Sequence, residues 1–212
     1  MRYIKFSTHT GEENMRIDSD LLEGAITEQT QEPIFRLYAW LPKCVSLGRN
    51  QEWVNIDGVD VVRRITGGRA LLHDDEITYS YISPISVIPN GITITESYKY
   101  ISGILIDFFK SLGVELEFGG KGVNAKHDYC MLISTGADVC YKGKKIIGSA
   151  QYRKNGYVMQ HGSILFNYDK ALLEKLFQEE ISPESITTVN EILPDMSKEE
   201  FVEKLEAFIR RL

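Results

Sequence analysis

The chain has 212 residues, 43% hydrophobic and 25% charged, with a formal net charge of −6. That length points to a single domain spanning 1–212, large enough to bury a core without disulfides or metals. The acidic balance disfavours nucleic acid as a general partner. There is no apolar run of about 18 residues to cross a membrane, and Met1-Arg2-Tyr3-Ile4-Lys5-Phe6-Ser7 lacks the apolar region of a signal peptide. A cytoplasmic protein with no membrane association is expected. The three cysteines, Cys44, Cys130 and Cys140, form no CxxC pair and argue against a disulfide framework. The four histidines form no HExxH or HxH pattern, so no metal site is expected.

Residues 2–7 alternate weakly and read as a first strand. In 14–29, Ile17, Leu21, Leu22, Ala25 and Ile26 repeat at helical spacing, predicting an amphipathic helix that starts near Asn14. Two β-rich runs, 34–40 and 44–47, are split by Leu41-Pro42-Lys43, which suggests a hairpin. Strands are expected at 59–64 and 76–82, flanking a Gly67-Gly68 loop. The strongest helix is 93–112, with Tyr98, Ile101, Leu105, Phe108, Phe109 and Leu112 on one face and Gly113 as its stop. From 114 to 166 the chain returns to strand-like runs, with a hairpin turn at Lys154-Asn155-Gly156. Helices at 169–178 and 197–211 close the chain, the second with Ser197 and Glu200 at capping-box spacing. The order fits an α+β fold with a mixed, mostly antiparallel sheet and packed helices better than a doubly wound one.

Two glycine-bearing segments carry the chemistry. The first, 63–84, reads Arg-Arg-Ile-Thr-Gly-Gly-Arg-Ala-Leu-Leu-His-Asp-Asp-Glu-Ile-Thr-Tyr-Ser-Tyr-Ile-Ser-Pro. The second, 143–163, reads Gly-Lys-Lys-Ile-Ile-Gly-Ser-Ala-Gln-Tyr-Arg-Lys-Asn-Gly-Tyr-Val-Met-Gln-His-Gly-Ser. In both, glycine lets the backbone approach a ligand while Arg, Lys and His supply donors. Neither is a P-loop or a dinucleotide fingerprint. Gly67-Gly68 reads as a tight loop against a ligand or as a plain hairpin turn. His73 either hydrogen-bonds near the site or orders the loop, and His161 suits positioning better than a catalytic base. Cys44 and Cys140 read as core packing. Arg49, Arg64, Arg69, Lys121, Lys126, Lys144, Arg153 and Lys154 lie near these segments, and such a basic rim would draw acidic carriers.

Together with the string Phe-Arg-Leu-Tyr-Ala-Trp-Leu-Pro-Lys-Cys-Val-Ser-Leu-Gly-Arg-Asn-Gln at 35–51 and Asn-Met-Arg-Ile-Asp-Ser-Asp-Leu-Leu at 14–22, these segments resemble the biotin/lipoate protein ligase catalytic-domain family. The resemblance runs nearly end to end. It implies a largely antiparallel sheet with helices packed around it and an acyl tunnel beside the glycine loop. Within the family, Cys130 falls at the position of the cysteine-type octanoyltransferases, and Lys145, 15 residues on, at a lysine shared with the ATP-dependent ligases. Met131 stands where that branch has Phe; Ala137-Asp138 stands where ligases have Asn-Asp. The resemblance implies that Cys130 and Lys145 are catalytic and that Arg64, Gly67, Gly68, His73, Gly148, Ser149 and His161 bind substrate. The implied partners are octanoyl–acyl carrier protein and lipoyl domains such as those of glycine cleavage H protein or dehydrogenase E2. No cofactor is implied for the transferase; ATP and Mg belong to the ligase alternative. A non-catalytic acyl- or carrier-binding relative is a third reading, and an amidotransferase between two lipoyl domains fits the Gly-Ser-Ala-Gln and Gln-His-Gly-Ser strings less well. The end at Leu212 suggests that the accessory C-terminal domain of many lipoate ligases is missing.

Overall fold

The computed structural model describes residues 1–120 and 138–212. In chain order its elements are β1 (Arg2–His9), α1 (Gly11–Thr27), β2 (Ile34–Trp40), β3 (Cys44–Leu47), β4 (Asp60–Arg63), β5 (Leu71–His73) and β6 (Glu76–Pro84). Then come α2 (Ile94–Ser111), β7 (Glu117–Phe118), β8 (Val139–Tyr141), β9 (Lys144–Lys154), β10 (Tyr157–Leu165), α3 (Lys170–Phe177), α4 (Val189–Ile192) and α5 (Lys198–Ile209). A seven-stranded sheet runs β1-β2-β6-β10-β9-β8-β7, and a three-stranded sheet runs β4-β3-β5. In the large sheet β1 pairs with β2 in parallel and the other neighbours are antiparallel. The expected mixed, mostly antiparallel α+β fold is what forms.

Side-chain alternation divides the large sheet into two unlike faces. One sends Phe35, Leu37, Ile77, Tyr79, Tyr81, Val158 and Ile164 into a core shared with Ile101, Leu105, Phe108 and Phe109 of α2 and Phe201, Leu205 and Ile209 of α5. Each such side chain contributes about 1.5–3 kcal/mol by leaving water. The opposite face of the same strands carries Arg36, Tyr38, Glu76, Thr78, His161 and Ser163, all buried. It faces α1 and the small sheet. The second covering layer explains why β2, β6 and β10 are buried along their whole length and why their sequences do not alternate between apolar and exposed polar residues.

Several local signals act as expected. Thr93 caps α2 by accepting the Glu96 N–H, and Gly113 takes a φ of +80° just past its end. Asn155 and Gly156 at φ +49° and +82° close the β9–β10 hairpin in the left-handed geometry that this turn requires. Ser197 accepts the Glu200 N–H at the start of α5.

Two expectations are corrected. Helix α1 begins at Gly11, ahead of Asn14, because Thr10 and Glu13 form a reciprocal capping box. Asn14 is instead buried, its amide donating to the carbonyls of His9 and Ala39. The runs 34–40 and 44–47 do not pair as a hairpin: β2 lies in the large sheet between β1 and β6, whereas β3 joins the small sheet between β4 and β5. Parallel pairing with β1 uses the edge of β2 that a hairpin partner would have taken. The three-residue β5 and the four-residue α4 carry too few residues to show a period and were not expected.

Candidate active site

Between the polar face of the large sheet and its cover lies a cavity lined mostly by apolar surface. Arg64, Gly68, His73, Gly148, Ser149 and His161 all line it, and Met15, Trp40, Leu71 and Ala150 supply apolar wall. The two glycine segments therefore meet across one space, although 80 residues separate Gly68 from Gly148. Gly67 is the exception among the expected ligand-binding residues; it opens onto the neighbouring surface with Arg49, Ile94, Tyr98 and Tyr152.

Glycine is required at Gly162 by close approach. A Cβ there would lie 2.6 Å from the Gly148 carbonyl oxygen and 2.7 Å from the Tyr79 ring. The Gly67-Gly68 segment is held by Arg64, which is buried rather than displayed. Its Nε and Nη2 donate to the Gly67 carbonyl at 3.2 and 3.0 Å, Nη2 to the Arg69 carbonyl at 2.6 Å, and Nη1 to Ser46 O and Oγ at 2.8 and 2.9 Å. This corrects the view of Arg64 as part of a basic rim. Arg153 is likewise engaged, with the carbonyls of Gly91, Ile92 and Thr93 ahead of α2. Lys154 pairs with Glu23 at 2.6 Å. Guanidinium groups that satisfy several backbone carbonyls fix loops and have little left for a carrier.

Two buried polar networks back the cavity. In one, Asp18 of α1 pairs with Arg36 Nη1 at 2.8 Å and accepts the Tyr38 hydroxyl at 2.9 Å. His161 Nδ1 approaches the same carboxylate at 3.5 Å, and its Nε2 lies 2.7 Å from Thr66 Oγ1 in the glycine loop. Burial pushes the Asp18 carboxyl up, but His161 and Arg36 outweigh it and hold it below the usual range. Burial dominates at His161 and pulls the imidazole below its ordinary value despite Asp18, with Arg64 and His73 adding to the fall. A neutral ring donating from Nδ1 to Asp18 leaves Nε2 to accept the Thr66 hydroxyl. His161 thus links Asp18 of α1 to the glycine loop through Thr66.

The second network centres on Glu76. Its Oε1 accepts from Thr78 and Ser163 at 2.6 and 2.8 Å and lies 2.7 Å from His73 Nδ1. His73 Nε2 lies 2.8 Å from Ser46 Oγ, and Trp40 stacks on the imidazole at 3.8 Å between ring centres. His73 therefore borders the cavity and ties the small sheet to the large one. Sequence reasoning missed Asp18, Ser46, Thr66 and Glu76. Only Glu76, one helical turn's spacing from His73, carried a local signal.

Lys145 is buried at the start of β9 and forms an ion pair with Asp138 at 3.0 Å. A register shift against β8 interrupts the alternation, so that Ile146 and Ile147 both enter the main core. Residues on either side of that bulge, Lys145 and Gly148, then share the opposite face. The Lys145 backbone is fixed by its N–H to the Ser185 carbonyl at 3.0 Å and its carbonyl to the Thr187 N–H at 2.9 Å. Lys145 is not on the described cavity wall. Cys130, with Lys121 and Lys126, lies outside the described residues. Cys44 and Cys140 are buried, as expected of core thiols, and burial drives the Cys44 thiol far up. Among the described residues no group of three or more His, Cys, Asp or Glu is arranged to hold a metal ion, and no helix is long and apolar enough to cross a membrane.

The same architecture occurs in known structures. A crystal structure of lipoate-protein ligase A bound with ATP superposes with a TM-score of 0.75 at 22% identity, covering 99% of this chain and 84% of that one. A bi-partite lipoate protein ligase from Thermoplasma acidophilum gives 0.72 at 21% identity, covering 100% and 84%. In sequence, a protein named octanoyltransferase LipM from Carboxydothermus hydrogenoformans is 39% identical over 186 residues, 84% of this chain and 68% of its own length. Its namesake from Staphylococcus aureus is 37% identical over 210 residues, 92% of this chain and 72% of its own. The family model for the lipoyl protein ligase A/B catalytic domain matches residues 10–210, and the chain belongs to that family.

Proposed function

We propose that the protein is an acyltransferase that moves an octanoyl group from octanoyl–acyl carrier protein to the lysine of a lipoyl domain, through a thioester on Cys130. The observation that carries this reading is the 35–39% identity to proteins named octanoyltransferase, reaching 92% of the chain. The largely apolar cavity between the glycine segments supports it as a place for the acyl chain. Cys130 Sγ attacks the donor thioester carbonyl and the carrier thiol leaves. The lipoyl-domain amine then attacks the Cys130 thioester, loses a proton, and expels the cysteine. The donor is already activated, so neither ATP nor Mg is needed, and every reactant belongs to the cytoplasm. Lys145 serves as the nearby cation, holding the acyl carbonyl or favouring the thiolate. Its pairing with Asp138 tempers its field.

The test is incubation with octanoyl–acyl carrier protein followed by mass spectrometry. One octanoyl adduct on Cys130, labile to hydroxylamine, is expected. Cys130→Ser replaces the thiol with a hydroxyl that ionises far less readily and should lose nearly all transfer with its fold intact. Octanoylation of a lipoyl domain at close to the wild-type rate by Cys130→Ser would refute the mechanism, and ATP-dependent modification with free lipoate would move the assignment to a ligase.

A further inference from the structure

Ser46 and His73 of the cavity wall, with Glu76 behind them, form a linked set that exchange at Cys130 does not use. Ser46 Oγ on β3 lies 2.8 Å from His73 Nε2, and His73 Nδ1 lies 2.7 Å from Glu76 Oε1. Burial pushes the Glu76 carboxyl up, but His73, Thr78 and Ser163 together hold it below the usual range. With Nδ1–H donating to the carboxylate, Nε2 is the acceptor for the Ser46 hydroxyl. The Trp40 ring lies 14° from parallel to the imidazole, and its indole N–H donates to Thr78 at 2.7 Å. The base and its orienting acid are thus both fixed. Arg64 Nη1 donates to Ser46 Oγ at 2.9 Å, placing a cation beside the attacking oxygen. Ser46 and His73 both line the cavity.

Hydroxyl, base and orienting carboxylate in this order make a nucleophilic relay. We propose that Ser46, His73 and Glu76 hydrolyse medium-chain acyl esters and thioesters held in the cavity, independently of Cys130. The proposal rests on reading that cavity as the acyl site. Ser46 Oγ bonds to the acyl carbonyl carbon while its proton passes to His73 Nε2. The bond from that carbon to the leaving sulfur or oxygen breaks, and the leaving group takes the proton. Water, the one further reactant, then adds to the Ser46 ester and gives a proton to His73. The bond to Ser46 Oγ breaks, the hydroxyl regains the proton, and the carboxylic acid departs. Acyl groups that no carrier lysine accepts would be cleared in this way.

The experiment uses full-length Cys130→Ala protein, 4-nitrophenyl octanoate as substrate and an octyl fluorophosphonate as a probe for activated serine. Hydrolysis above the buffer rate and one phosphonyl group on Ser46 are expected. Adding Ser46→Ala or His73→Gln should lower hydrolysis by about 10²-fold or more, the contribution of a general base. Circular dichroism and a cooperative melt report whether each variant is folded. Should Ser46→Ala not fold, Ser46→Cys keeps the size and should retain a hydroxylamine-labile octanoyl group at position 46. Folded Cys130→Ala protein that neither hydrolyses the ester nor takes up the probe at Ser46 would overturn the proposal, as would hydrolysis undiminished by Ser46→Ala. Wild-type octanoyl transfer is measured alongside. Transfer without hydrolysis overturns only the relay; hydrolysis without transfer overturns only the transferase reading.

Discussion

Gly48 offers a sharper test of the site's construction than either glycine of the Gly67-Gly68 pair. A Cβ at Gly48 would stand 2.0 Å from the Gly68 carbonyl oxygen and 3.2 Å from the Gly67 carbonyl carbon. Both obstacles are backbone, so no side chain can rotate away. Gly48 is itself held by Arg63, which donates to its carbonyl at 3.0 Å, and by Gln51, which accepts its N–H at 2.9 Å. Gly48→Ala must push the glycine loop off the cavity wall and loosen the Arg64 bonds to Gly67 and Arg69. Overpacking in a filled interior costs about 1–3 kcal/mol, and the closeness of this contact puts Gly48→Ala at or above the upper end. Gly68→Ala meets Arg64 Nη2 at 2.9 Å and has a φ of +95°, so it should cost about 1–3 kcal/mol through backbone strain. At Gly67 an added Cβ meets nothing within 4 Å and φ is not positive. Gly67→Ala should change stability by no more than about 0.5–1 kcal/mol. Urea unfolding of the three variants, read by tryptophan fluorescence, measures the order. A Gly48→Ala protein as stable as Gly67→Ala would refute the close approach of the two loops on which the cavity depends.

Two further outcomes follow from other parts of the molecule. His161 has its folded-state value lowered, so its contribution is complete above the unfolded value of about 6.5 and is lost as pH falls below it. The wild-type urea midpoint should therefore drop between pH 7.5 and pH 5.5, and His161→Gln should drop less; equal drops would remove His161 as the cause. Phe201 is fully buried and packs edge-on against Phe108 at 5.2 Å between centroids. Phe201→Ala should cost about 3–5 kcal/mol in calorimetry or denaturant unfolding yet leave the cavity on the opposite face of the sheet intact, and a cost below 1 kcal/mol would refute the packing.

What could be read from the sequence was set by how local its cause is. The α2 period, the Gly113 stop and the Asn155-Gly156 turn each depend on a handful of neighbouring residues, and each formed where expected. The failed hairpin at 34–47 shows the limit. Both runs are strands, but their partners are chosen by long-range competition, in which β1 and β6 take the two edges of β2. Propensity within the runs says nothing of that. The start of α1 was legible in principle, because Thr10 and Glu13 have capping-box spacing. The apolar period begins later and drew attention to Asn14.

The site divides in the same way. Glycine and histidine stand out in a sequence, and four of the marked glycines and histidines line the cavity together. Their partners do not stand out, because a buried Ser46 or Asp18 is spelled like a surface one. Asp18 sits on an otherwise ordinary amphipathic helix, and only when α1 crosses the large sheet do Arg36, Tyr38 and His161 converge on its carboxylate. Arg64 fails from the opposite side. Its charge suggested a rim, but folding turns it inward to the carbonyls of Ser46, Gly67 and Arg69. A cation placed there exchanges recognition for rigidity, which is why the pair Arg64 and His161, read from sequence as ligand contacts, act in the structure on the two sides of the loop that shapes the cavity.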